Sequence, residues 1–134
     1  MSKVIEKEWR EGDFNCKVIF MPLGHRCGYV GVSKKHPMYG LDYWNYIDKI
    51  DCYGGLTYCG FLGEENKEYW YFGFDCAHFG DGIDIKSLKK YGFQNEIDIL
   101  LRLKTTWYSL QKPFKTQKFC EEQCHSIVEQ IKQL

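Results

Sequence analysis

Asn15-Cys16-Lys17-Val18-Ile19-Phe20-Met21 is the stretch on which the fold turns. It alternates, and it carries enough β-branched weight to be a strand. Pro22-Leu23-Gly24 then turns the chain, and Cys27-Gly28-Tyr29-Val30-Gly31-Val32 reads as a second strand. A hairpin is the simplest connection, so the N-terminal half is expected to build a sheet by antiparallel pairing of near neighbours.

Working outward, Leu56 to Leu62 and Tyr69 to Cys76 read as the third and fourth strands. The polar turn Gly63-Glu64-Glu65-Asn66-Lys67 separates them. Gly60 and Gly73 interrupt these strands, which marks a bulge or the close approach of another group. Residues 33 to 51 lie between the two hairpins and mix Pro37, Gly40, charges and aromatics without a sustained period. A stretch of that length reads as a functional excursion, with a short helix at Tyr43 to Ile47, folded over a sheet edge. Phe79 to Gly82 is a further break.

The period then changes. Asn95 to Gln111 places Ile97, Leu100, Leu101, Lys104 and Tyr108 on one helical face, and Lys112-Pro113 ends it. From Thr116 onward Cys120, Cys124, Ile127, Ile131 and Leu134 form a narrow apolar stripe, which predicts a long helix docked on the sheet. The heptad spacing also suits a homo-oligomer formed through this C-terminal helix, over two heptads. The fold class is therefore α+β: an antiparallel sheet of four to five strands within about 15–82, packed on one face by two C-terminal helices within about 83–134. The 134 residues are expected to form a single domain, 1–134.

Eighteen basic residues balance eighteen acidic ones, so no global field favours generic nucleic acid or an anionic membrane. The first residues lack the apolar block of a signal peptide, and no apolar run approaches a membrane span, so a cytoplasmic protein is expected. Seven cysteines are an odd number, and in a reducing compartment most read as small buried hydrophobes. Ten Tyr, nine Phe and four Trp supply stiff rings for a core or a binding face.

Four blocks bear on function: His25-Arg26-Cys27-Gly28-Tyr29-Val30-Gly31-Val32; His36-Pro37-Met38-Tyr39-Gly40 with Asp42-Tyr43; Gly54-Gly55-Leu56-Thr57-Tyr58; and Trp70-Tyr71-Phe72-Gly73-Phe74-Asp75-Cys76-Ala77-His78-Phe79-Gly80-Asp81. In this order they resemble a family of small proteins common in phage and prophage genomes, and the final helix is similar to that family's, with Glu122, Cys124 and Gln130 in like places. The resemblance implies a phage accessory gene acting in the host cytosol. Where relatives carry a His before the glycine pair this chain has Cys52-Tyr53, and residues 83–113 look like an insertion.

The residues admit several chemistries. His25, His36, His78, Asp75, Asp81 and the cysteines could gather round a metal, but the cysteine gaps are ten (Cys16 to Cys27), six (Cys52 to Cys59) and three (Cys120 to Cys124), so no metal site is expected. Asp75 and His78 could form a carboxylate-imidazole pair for a small hydrolase; equally, Asp75 could cap the turn after its strand. A third reading is ligand binding without chemistry or cofactor. In it Tyr58, Trp70 or Tyr71 stack on a ring, Arg26, Lys34 or Lys35 meet phosphate, Gly54 and Gly55 allow close approach, and His25, His36, Asp75, His78 and Asp81 fix orientation. A fourth is a protein-binding module that uses the aromatic excursion from His36 to Tyr53 as its anchor patch.

The expectation taken forward is a phage or prophage accessory protein that counters host defence by sequestering a small nucleotide-derived signal. Its alternatives are an inhibitor that binds a host defence protein, and a hydrolase using His78 and Asp75.

Overall fold

In the computed structural model, which describes residues 3–63 and 65–134, five strands form one antiparallel sheet. They are β1 (Val4–Glu11), β2 (Phe14–Phe20), β3 (Arg26–Ser33), β4 (Tyr58–Gly60) and β5 (Tyr69–Asp75), in the order β1-β2-β3-β5-β4. The β2–β3 hairpin pairs Cys16 with Val30 and Val18 with Gly28, and its turn is closed by Met21 N donating to His25 O at 2.8 Å. β4 is shorter than the sequence suggests, because Gly60 at φ +148° ends the pairing and sends Phe61 back against Trp70. Glu64, within the expected turn, lies outside the described residues.

β1 has no counterpart in the sequence reading. Its eight residues, VIEKEWRE, are mostly charged, so the alternation that reveals a half-buried strand is masked. The charges suit its position at the edge, where a bulge between Ile5 and Lys7 also interrupts the pairing surface offered to another chain.

Strand alternation gives the sheet two unlike faces. One carries Cys16, Val18, Val30, Val32, Phe72 and Phe74, and α4 (Gln117–Lys132) lies on it with Cys120, Cys124, Ile127, Val128 and Ile131 buried. Each such apolar side chain contributes roughly 1.5–3 kcal/mol when removed from water. Gly28 allows the close fit: a Cβ there would stand 2.4 Å from the Phe74 ring and 3.0 Å from Cys124 Sγ. The Thr116 hydroxyl caps the helix by accepting from Phe119 N at 3.1 Å. Because the stripe is spent on the sheet, it offers no free seam for a homo-oligomer through this helix; of the expected set only Leu134 remains exposed.

The excursion from 33 to 51 covers the same face beside α4. Met38 and Ile50 enter the core, Tyr46 meets Phe72 edge-on, and only a 3-10 turn forms, at Tyr43–Asn45. Gln130 clamps the segment to α4, donating to Asp51 O at 2.7 Å and accepting from Asp51 N at 2.6 Å.

The chain between β5 and α4 forms three helices where the sequence suggests one: α1 (Ile85–Lys90), α2 (Gln94–Leu101) and α3 (Lys104–Leu110). Leu88, Phe93, Ile97 and Leu100 pack with Phe20 in a second cluster at the end of the sheet. Leu103 adopts an extended backbone (φ −92°, ψ 130°), which breaks the expected helix and turns its second half. Lys104 and Tyr108 therefore do not share the buried face of Ile97 and Leu100; Tyr108 is 72% exposed.

Candidate functional site: a cleft beside His78

β3 separates the expected binding residues into two groups. His25 precedes the strand while Lys34, Lys35 and His36 follow it, and eight residues at about 3.3 Å each set them roughly 26 Å apart. Lys34 and Lys35 are exposed on a turn. His36 faces Phe14 at 5.8 Å and accepts from Met38 N through Nδ1 at 3.1 Å, so it serves its own loop.

The expected phosphate ligand Arg26 is instead buried. Its Nε donates to Glu6 Oε1 at 2.6 Å, Nη1 lies 3.0 Å from Asp84 Oδ2, and Nη2 donates to Ser87 Oγ at 3.1 Å. Two carboxylates already neutralise it. The three rings offered as alternative stacking faces do not share one surface either, because consecutive strand residues point to opposite faces. Trp70 lies on the α4 side and donates Nε1–H to Leu41 O at 2.9 Å. Tyr71 lies on the other side, buried, accepting from Asn15 Nδ2 at 2.6 Å beneath Lys17. Tyr58 shares that side, edge-on to Tyr29, and its hydroxyl donates to Phe61 O.

At the other end of β3 the remaining members converge. A cleft of about 330 Å³ is lined by Leu23, His25, Cys76, Ala77, His78, Asp81, Ile83, Leu100, Leu103, Thr106 and Ser109. The turn after β2 supplies His25 and the segment after β5 supplies His78 and Asp81, while α2 and α3 close the far wall. Asp75 borders the group: its Oδ1 lies 3.6 Å from His78 Nε2.

Hydrogen bonds fix these side chains. Asp75 Oδ1 accepts from Ala77 N at 3.1 Å and Oδ2 from Thr57 Oγ1 at 3.1 Å, so the carboxylate caps its turn. Asp81 Oδ2 accepts from His78 N at 3.0 Å and Oδ1 from the Tyr53 hydroxyl at 2.7 Å. That bond pushes the Tyr53 phenol up to about 12. Tyr53 also stands edge-on to His78 at 5.4 Å. Gly54 covers the imidazole, and Gly55 beside it closes the turn with N donating to Cys52 O at 2.9 Å. Burial lowers the His25 pKa against the opposing pull of Asp75 and Asp81, which favours the neutral ring.

His78 Nε2 is buried and, among the described residues, makes no hydrogen bond. Such an atom normally has a partner. The thiols do not offer a nucleophile beside it. Cys76 is pushed up by its contact with Cys120, Sγ to Sγ 3.7 Å, and by burial; burial holds Cys27 at about 11 and Cys16 and Cys52 at about 12. Among the described residues no three of His, Cys, Asp and Glu gather closely enough to hold a metal ion.

Several residues of the site were not legible beforehand. Leu100, Leu103, Thr106 and Ser109 come from the insertion-like stretch 83–113, which the sequence reads as helical but does not set opposite His78. Two cations stand outside the cleft lining, over rings next to it in the chain or in space: Lys112 Nζ over Phe79, which follows His78, at 4.4 Å, and Lys115 Nζ over Tyr53, which stands edge-on to His78, at 4.8 Å. Among the described residues no helix is long and apolar enough to cross a membrane. No protein-family model, curated protein or solved structure matches the chain.

Proposed function

We propose that the protein binds a small nucleotide-derived ligand in the cleft beside His78 and sequesters it without chemistry. The observation that carries this reading is the buried, unpartnered Nε2 of His78, held between Asp75 and Gly54 at the edge of a cleft with an apolar wall. A planar heterocycle fits such a wall, and its N–H groups find acceptors in neutral His25 and the free lone pairs of Asp81. Phosphate would lie outward, toward Lys112 and Lys115, rather than at Arg26, Lys34 or Lys35. The resemblance to phage and prophage accessory proteins supports host defence as the setting.

The test is a thermal-shift screen against cyclic and linear nucleotides, nucleosides and bases, followed by titration of any hit. A true ligand raises the melting temperature by more than about 1 °C at high excess, without turnover, and the rise disappears in His78→Ala and Asp81→Asn. A panel that leaves the wild-type melting temperature unchanged overturns the proposal.

One observation favours a second reading. The Asp75–His78 pair at 3.6 Å could orient an imidazole as a base toward water, which would make the protein a small hydrolase. Turnover of the bound nucleotide, lost in His78→Ala, would select it.

A further inference from the structure

Helix α3 walls the cleft and yet is barely attached to the rest of the protein. Among its described side chains only Thr106, 3% exposed, is buried, and it lines the cleft together with Ser109. Trp107 and Tyr108 are exposed, and the half-buried Leu110 joins neither hydrophobic cluster. Helix α4, by contrast, buries Cys120, Cys124, Ile127, Val128 and Ile131. Hydrogen bonds add little. Among the described residues, the bond that ties α3 to a segment distant in sequence runs from Ile83 N to Ser109 O at 3.4 Å, longer than the usual range.

Both flanks of α3 are held more firmly. Before it, Leu100 packs in the second cluster; after it, Pro113 O accepts from Gly82 N at 2.8 Å and Lys115 O from Arg26 Nη1 at 3.1 Å. Residues 102–112 are therefore a strap fixed at its two ends and loose between them. The extended backbone at Leu103 gives it a joint on one side, and the end of α3 before Pro113 gives it another. A helix of seven residues has little stability of its own, and elements with few buried contacts open before the core does. Gly82 sets how closely the strap lies: a Cβ there would run into Lys112 O and stand 3.0 Å from Ser109 O. The missing side chain is what lets the end of α3 rest against the segment that follows Asp81.

We propose that the strap 102–112, with α3 at its centre, is a hinged lid that opens the cleft to a small ligand and closes over it. That a ligand enters rests on the nucleotide reading above; that the lid opens is a property of the free protein. Opening displaces no side chain of either hydrophobic cluster, because the strap contributes none. A ligand in the cleft adds to the closed state alone, offering polar partners to the hydroxyls of Thr106 and Ser109 and apolar surface to Leu103, so it shifts the lid toward closure.

The test is hydrogen exchange of the free protein, followed residue by residue by NMR and corrected for intrinsic rates. The amides of Tyr108, Ser109 and Leu110 should exchange at least about a hundredfold faster than those of Cys124 to Val128 in α4. Equal protection in the two helices would overturn the proposal. Gly82→Ala then links the helix to the cleft. It should speed exchange at Tyr108 to Leu110 by about tenfold or more, and with it the rate at which diethyl pyrocarbonate acylates His25 inside the cleft. The α4 amides, which report the fold, and His36, beyond the far end of β3, should stay as in wild type. Faster exchange without faster acylation of His25 would make α3 a frayed surface helix and not a lid, and no change in either would show that the strap does not rest on Gly82; both results overturn the proposal. A nucleotide that raises the melting temperature in the screen should slow exchange at Tyr108 to Leu110, and a hit that leaves these amides unchanged would refute closure. A screen without any hit would overturn the nucleotide reading, while the free-protein rates still decide whether the lid opens.

Discussion

Gly54 lies against His78 so closely that a Cβ added to the glycine would stand 2.1 Å from the imidazole Nε2. The glycine also has φ +70°, a backbone region that costs an L-residue about 1–2 kcal/mol. The absence of a side chain at 54 is therefore what lets the ring sit over Asp75.

Gly54→Ala should accordingly do two things. Stability should fall by at least about 1–2 kcal/mol from the backbone alone, and the ring should swing away from Asp75, so that any nucleotide-induced thermal shift is lost. Gly55→Ala is the control: it shares the positive φ, at +79°, but its Cβ would meet nothing within 4 Å, so it should lose stability and keep the ligand response. Equal ligand responses from the two variants, measured by titration calorimetry, would show that Gly54 does not position His78.

Arg26 should behave as a structural residue. With Glu6 and Asp84 it forms a buried cluster, and Tyr91 adds a hydroxyl to Glu6. Removing one member strands a buried charge, which typically costs about 3–5 kcal/mol. Denaturant unfolding of Arg26→Ala should show that loss. At a temperature where the variant is still folded, its affinity for a nucleotide hit should match wild type, and a specific loss of affinity would return Arg26 to the binding site.

These two residues illustrate what could be read beforehand and what could not. Alternation in β2, β3 and β5 announces the sheet because those strands bury one face under α4, and the stripe Cys120, Cys124, Ile127 and Ile131 announces α4 for the same reason. β1 escapes because an edge strand is protected by the charges that erase its pattern. His78, Asp75 and Asp81 could be grouped because they are neighbours in the chain, and His25 joins them through the hairpin. Arg26 is adjacent to His25, yet the strand starts there and turns it to the α4 side, where Glu6 waits across the bulge. The partner charge lies twenty positions away, and no local rule reveals it.

His125 and Glu11 tie α4 to β1, Nδ1 to Oε1 at 2.6 Å, and they make stability depend on pH in a definite direction. Glu11 raises the pKa of His125 above 6.5, so this contribution is complete below 6.5 and is lost as pH rises through the folded value. The Glu11 pKa is lowered from 4.5, its bonds with His125 and Trp9 outweighing burial, so its part is present above 4.5 and lost as pH falls through the folded value. The stability difference between wild type and His125→Gln should thus be largest between 4.5 and 6.5 and shrink on the alkaline side. A difference that does not change across this range, measured by urea unfolding at each pH, would mean that the pair does not form in solution.

His25 should work in the opposite sense. Burial lowers its pKa below 6.5, so the unfolded chain takes up the proton first and stability falls as pH drops from 6.5 to the folded value. His25→Gln should remove that part of the acid sensitivity, and an NMR titration of the wild-type ring should report a midpoint below 6.5.

The cysteines decide whether covalent chemistry is open to the cleft. Cys76 lines it, but its thiol is buried against Cys120 and its pKa is raised, so the thiolate that attacks a substrate or an alkylating reagent is almost absent near neutral pH. Cys16, Cys27 and Cys124 are buried too, and burial raises each of them. Iodoacetamide should leave Cys76, Cys16, Cys27 and Cys124 unmodified in the folded protein, while in denaturant all seven cysteines react, as read by peptide mass spectrometry. Selective labelling of Cys76 in the native state would mean an accessible thiolate next to His78. Binding without chemistry would then no longer account for the cleft, because a nucleophile and its base would stand side by side.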